Sequence, residues 1–223
     1  MRRGLGHLGH ALPNTYREVG SICSMGQAAF KVAYNPTSGT QGFDLIWKFD
    51  QGMNNVAEDM HLFGIYASSG YTYWIFFKRT STHSSQPNKV MLRYATTSTT
   101  YELMANYDYG KDAWQETKLL SQVYTACDGA TTSSVANPRS GSNYGYVGIG
   151  AQWNKTANAF STRSNTTYKM HFRYLCFYQG TTKKFELIPC IRKSDNKVGM
   201  YDKVNGVFYS SETGTEFTIG RYV

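Results

Sequence analysis

The chain has 223 residues, with 23 Lys+Arg against 15 Asp+Glu for a formal charge of +8. Leu, Ile, Val and Phe make up only 42 of these residues, near the level at which disorder is suspected. The charge is small for this length, however, and 18 Tyr, 4 Trp and 8 Met add enough large apolar groups for one packed core. With 23 Thr and 18 Tyr but only 7 Glu and 11 Leu, the composition favours strands and disfavours a coiled coil or helical bundle. No run approaches the ~20 apolar residues of a membrane-spanning helix, so no membrane partner is expected.

Residues 1–13 read as a short, extended, Gly-rich basic arm. Arg2 and Arg3 begin it, and Gly and His interrupt Leu5 and Leu8, so the apolar stretch of a secretory signal is missing. A loose Gly-rich end is the default reading; the sharper one is an arm that orders against a partner through Arg2, Arg3, Leu5 and Leu8. Pro13 and Asn14 end it, and residues 14–223 read as one domain.

From Tyr16 onward, strand-like segments recur between turn signals. Gln27 to Tyr34 is one. In Phe43 to Phe49 the residues Phe43, Leu45, Trp47 and Phe49 alternate with Asp44, Ile46 and Lys48, the period of a sheet with one face in a core. Leu62 to Ala67 and Tyr71 to Lys78 form a predicted hairpin, and Val90 to Ala95 and Tyr101 to Tyr107 continue the pattern. Trp114 to Tyr124 could be helical, but Thr117, Val123 and Tyr124 favour one long strand. Thr131 to Asn143 reads as a loop. Tyr144 to Gly150, Lys169 to Tyr178 and Phe185 to Ile191 are further strands. Val198 to Val204 and Val207 to Ser210 pair across Asn205-Gly206, a dipeptide that suits a turn with two positive φ angles. Many short strands without a convincing helix predict an all-β sandwich or barrel.

The cysteines Cys23, Cys127, Cys176 and Cys190 are far apart and make no C-x-x-C pair, which predicts free, buried thiols rather than zinc ligands. The five histidines have no metal-ligand spacing, and no phosphate loop or nucleophile elbow is present. No metal or other cofactor is implied. Two aromatic groups could stack on sugars: Tyr66, Tyr71, Tyr73 and Trp74 in the predicted hairpin, and Trp153 on an Asn/Gln-rich loop. The competing reading is that alternate aromatics fill the core. Residues 129–193 hold nine bases and one acid, Glu186, which accounts for the whole charge surplus. Lys155, Arg163, Lys169, Lys183 and Lys184 would make a basic face suited to an acidic partner. Nucleic acid is not expected, because no recognition element accompanies the charge.

Residues 185–220 read FELIPCIRKSDNKVGMYDKVNGVFYSSETGTEFTIG. The positions Ile188-Pro189-Cys190, Arg192-Lys193-Ser194-Asp195, Gly199, Tyr201-Asp202, Val204-Asn205-Gly206, Phe208-Tyr209, Gly214 and Phe217 resemble the closing segment of a concanavalin A-like (laminin-G-like) jelly-roll family. That family is abundant in gut bacteria and their bacteriophages. Leu12-Pro13, Tyr16, Glu18-Val19 and Gly26-Gln27 resemble its opening. The resemblance implies an antiparallel two-sheet jelly roll. Some jelly rolls of this superfamily are glycoside hydrolases, which need two carboxylates on one strand face. No such pattern occurs along a strand here, so an enzyme is not expected. The resemblance implies a phage virion protein, a capsid decoration or head fibre, with other virion proteins as partners. It would be assembled in the bacterial cytoplasm as a homo-oligomer, with a trimer favoured, and a glycan would be a second partner. The alternative is a lectin-like carbohydrate-binding module of a phage or a bacterial cell surface.

Overall fold

The computed structural model of the chain describes residues 11–24, 27–34, 41–50, 53, 58–66, 72–78, 80–82, 84–85, 87–95, 100–108, 113–127, 132–134, 145–161 and 169–220. The first strands in chain order are β1 (Tyr16–Glu18), β2 (Ile22–Ser24), β3 (Phe30–Ala33), β4 (Gln41–Phe49), β5 (Met60–Tyr66) and β6 (Thr72–Lys78). Next come β7 (Val90–Ala95), β8 (Thr100–Ala105), β9 (Gln115–Leu120), β10 (Val123–Thr125), β11 (Thr132–Ser134), β12 (Tyr146–Ile149) and β13 (Gln152–Asn154). The last are β14 (Ala159–Ser161), β15 (Met170–Gln179), β16 (Thr182–Arg192), β17 (Val198–Asp202), β18 (Val207–Ser210) and β19 (Thr218–Ile219).

These strands form two sheets packed as an all-β jelly-roll sandwich. The larger sheet runs β11-β10-β9-β4-β15-β16-β17-β18, with β1 added to β16, β2 to β15 and β19 to β2. The smaller runs β14-β13-β5-β6-β7-β8, and β12 joins β3 to β5. The pairings are antiparallel except β13 with β5, which is parallel. The alternation in β4 decides what lies between the sheets: Phe43, Leu45, Trp47 and Phe49 are all buried in the core. Phe43 meets Phe63 of the smaller sheet at 5.0 Å between ring centroids, and Trp47 meets Phe76 at 5.4 Å. Each such fully buried ring contributes about 2–3 kcal/mol by removal from water. The polar phase of β4, Asp44 to Lys48, faces outward, and there the larger sheet carries its charged groups.

Three expectations are corrected. Trp114 to Tyr124 is not one long strand: it folds as β9 and β10 across Ser121 and Gln122, whose φ angles are 49° and 65°. Two positive φ values give the turn whose twist matches a hairpin, here without glycine. Second, Asn205-Gly206 does not form a turn with two positive φ angles, since only Gly206 is left-handed, at φ 71°. The reason is Asp202, whose Oδ1 accepts the N–H groups of Val204 and Asn205 at 2.9 and 3.4 Å, closing a four-residue turn before Val207. Third, part of the segment read as a loop from Thr131, namely Thr132–Ser134, is the edge strand β11. Val90–Ala95 matches its predicted bounds.

Candidate functional site

Of the aromatic and basic residues singled out in the sequence, the described ones, Trp153, Lys155, Lys169, Lys183 and Lys184, do not gather in one place. Trp153 is not on a loop: it lies on β13, between β5 and β14, and is 3% exposed. The Lys31 ammonium sits over its ring at 4.3 Å, while Tyr146 and Phe160 abut it at 5.9 and 5.1 Å. A ring covered this way offers no stacking platform for a sugar. Tyr71 and the side chains of Tyr66, Tyr73 and Trp74 lie outside the described residues, as do Arg163, Arg2, Arg3, Leu5 and Leu8. The basic face is also dispersed. Lys155 is in the exposed β13–β14 turn of the smaller sheet. Lys169 precedes β15, while Lys183 and Lys184 open β16 at the opposite end of β15, about 30 Å away at strand rise. Lys169 pairs with Asp50 at 3.7 Å and Lys183 with Glu186 at 2.7 Å.

The outer face of the larger sheet brings other residues together, in two cross-strand rows. In the first, His171 of β15 is opposite both Lys48 of β4 and Cys23 of β2. Trp114 stands just before Gln115, the partner of Trp47. The register between β15 and β4 skips Arg173, so this residue is the extra one of a β-bulge. A bulge re-aims its side chain, and here the guanidinium lies 4.3 Å from the Trp114 ring centroid. The Lys48 ammonium is 5.3 Å from the same centroid, and the His171 ring meets it edge-on at 6.4 Å. Asp50 holds this end through His171 Nε2 at 2.6 Å and Lys169 at 3.7 Å. Arg173 reaches no carboxylate among the described residues: its hydrogen bond runs from Nε to the Gly20 carbonyl at 3.4 Å. Burial holds its pKa below the ordinary arginine value. The Trp114 indole N–H is enclosed and donates to no group among the described residues.

The second row runs Lys118, Asp44, Cys176 and Glu186 across β9, β4, β15 and β16. Glu186 Oε1 accepts from the Tyr174 hydroxyl at 2.9 Å and from Lys183. Lys118 bridges Asp44 at 3.7 Å and Glu116 at 2.8 Å. Burial outweighs Lys118 and pushes the Asp44 carboxyl up to about 6. Burial likewise raises the Cys176 thiol and the Tyr174 and Tyr178 hydroxyls. Two carboxylates do share a face here, but on strands separated by β15, about 10 Å between backbones. A search along single strands misses such a pair. Each is tied to a lysine, which makes the row an ion-pair ladder.

Segment 185–220 is built differently, with its polar groups closed on one another. Asp202 is fully buried, and its carboxylate accepts from the Glu186, Val204 and Asn205 N–H groups and from Asn205 Nδ2 at 2.6 Å. A Cβ on Gly199 would lie 2.1 Å from the Tyr209 carbonyl oxygen, so β17 and β18 can approach only at glycine. All four cysteines are free and buried, and burial raises the Cys23 and Cys190 thiols to about 12. No family model matches the chain, and no curated protein is significantly similar to it.

Proposed function

We propose that this chain is a structural protein of a bacteriophage virion, a capsid decoration or head fibre without catalytic activity. Residues 1–13 anchor it, with Arg2, Arg3, Leu5 and Leu8 making the contact, and the sandwich projects from the particle. One observation carries the reading. The residues resembling the phage jelly-roll family have construction roles in this fold, and they grip the point where the arm begins. Lys193 donates from its backbone N–H to the Thr15 carbonyl and from Nζ to the Asn14 carbonyl, at 2.9 and 2.7 Å. Tyr16 packs on Tyr201 and Phe208 at 4.7 and 5.5 Å, and β1 pairs with β16. An arm leaving this junction is tied to β16, a strand paired along its length with β15 and β17, as an anchored display domain requires. Other virion subunits are the partners, and we take the assembled form to be a trimer.

Mass spectrometry of purified particles tests this directly: peptides of the chain are expected in the virion, and their absence overturns the proposal. Deletion of residues 1–13 is expected to abolish incorporation while leaving the sandwich folded. Light scattering of the purified chain is expected to give three times the 25.1 kDa of one chain. A second reading, adhesion to host or mucus glycans as a lectin-like module, draws support from the half-buried Trp114 and Arg173 with their unused donors.

A further inference from the structure

We propose that the bulge of β15 builds a site for a carboxylate-bearing sugar, with Arg173 as its anion clamp and the Trp114 N–H as a second donor. The inference rests on the glycan-adhesion reading and gives it a place and a ligand class. The Arg173 guanidinium lies over the Trp114 ring, 4.3 Å from its centroid, a contact that restricts where its fork can point before any ligand arrives. Among the described residues its one hydrogen bond uses Nε, at 3.4 Å, and the remaining guanidinium N–H groups make none. A guanidinium with two parallel donors free matches a carboxylate in bidentate geometry.

The surrounding charge has the matching sign. Lys48 and Lys169 flank the site, against Asp50, which is engaged by His171 and Lys169. Glu116, on the neighbouring strand, is paired with Lys118 at 2.8 Å. Trp114 and Arg173 are both only partly buried, so a ligand can reach the guanidinium and the ring, while the enclosed N–H is reached only as the ligand displaces what covers it. An enclosed indole N–H left without an acceptor costs about 1–3 kcal/mol, and a ligand oxygen placed there removes that cost. A uronic or sialic acid supplies both a carboxylate for Arg173 and hydroxyl oxygens for the indole N–H.

The four tryptophans give four indole N–H resonances in a ¹H–¹⁵N spectrum, which makes the test specific. Titration at constant ionic strength with sodium glucuronate and with N-acetylneuraminic acid is expected to shift the Trp114 indole resonance downfield. Glucose and sodium acetate are the controls, and neither is expected to match that shift. Arg173→Gln is expected to weaken binding by about tenfold or more, the range of a charge-assisted hydrogen bond. Arg173→Lys should weaken it nearly as much, because the fork is lost. Trp114→Phe keeps an aromatic ring beneath Arg173 and removes the N–H together with the second ring. Its binding is read from the backbone amide of Arg173, where a weaker response than in the parent is expected and an equal one counts against the N–H as a donor. The proposal fails if no acidic sugar moves the Trp114 signal, or if acetate or glucose moves it equally. Shifts confined to other residues would also sink this site, yet they would leave glycan adhesion standing. Silence throughout the spectrum with every sugar would remove both.

Discussion

Two arginines of the larger sheet show how similar local arrangements can be left in different states. Arg192, at the end of β16, lies 4.8 Å from the Phe208 ring centroid, and Arg173 lies 4.3 Å from that of Trp114. Arg192 is completed from within the chain: Asp195, on the following turn, accepts from Nε at 3.0 Å and from Nη2 at 2.6 Å. Among the described residues Arg173 has no such neighbour, and its Nε meets only a carbonyl, at 3.4 Å. The titrations separate in the same sense. Arg192 raises its own pKa by pairing and draws Asp195 down to about 2, whereas burial alone lowers Arg173. A turn three residues long places an acid beside its arginine. A bulge turns an arginine toward a ring and supplies no anion. One region is thereby finished at folding, and the other is left without an anion from among the described residues.

The largest expected effect breaks the finished region. Asp202→Ala removes the acceptor of three backbone N–H groups and one side-chain amide while leaving the donors enclosed. A loss of about 3 kcal/mol in urea unfolding is expected. A loss under about 1 kcal/mol would show that water satisfies these donors and that the region is not closed. The next effect has the opposite sign. Asp44 has its pKa raised from 3.8 to about 6, so the native state holds a proton that the unfolded chain releases earlier. Stability attached to this group is therefore full below about pH 4 and is lost as pH rises through about 6. Asp44→Asn removes the charge that burial opposes, and a gain of about 1 kcal/mol at pH 7.5 is expected, vanishing at pH 4. Thermal unfolding at the two pH values checks it, and an equal gain at both would refute the ionic cause.

How much of this was legible beforehand differs by region. The alternation Phe43, Leu45, Trp47, Phe49 reveals a strand and its buried face without further help, because a period of two has one physical source. The β15 bulge is also written in the sequence, as a change of phase. Met170 and Phe172 face the core on even numbers, and Leu175 and Phe177 on odd ones, so one residue between them is supernumerary. What stays hidden is which strands become neighbours. Lys48, Trp114 and Arg173 come from three segments up to 125 positions apart and meet only through register. The dispersion of Lys155, Lys169 and Lys183 has the same origin, since proximity along the chain does not place side chains on one face. Trp153 was misread because Gln152 and Asn154 beside it resemble loop residues. A parallel pairing with β5, invisible to local reading, draws it into a strand.

A smaller effect concerns that covered ring. Lys31→Ala removes the ammonium from Trp153 and the 3.4 Å contact with Glu212. A cost of about 0.5–1 kcal/mol is expected, together with stronger acrylamide quenching of tryptophan fluorescence as the ring face opens. Unchanged quenching would mean that Tyr146 and Phe160 shield the ring by themselves.

The smallest effect compares the two arginines themselves. Each change to Met keeps a long side chain on the aromatic ring and deletes the guanidinium. For Arg192 the loss includes an exposed bidentate pair, which is weak in water and screened by salt. Arg192→Met should therefore cost more at 20 mM salt than at 500 mM. For Arg173 the loss is a cation–ring contact and one long hydrogen bond, while Lys48 and Lys169 nearby make the added charge unfavourable. Arg173→Met is therefore expected to leave stability nearly unchanged, or to raise it slightly at low salt, where like charges repel most. Urea midpoints for both variants at the two salt concentrations decide the matter. A salt-dependent loss for Arg173→Met matching that of Arg192→Met would show that Arg173 already holds an anion from within the chain, and the contrast between the two regions would be gone.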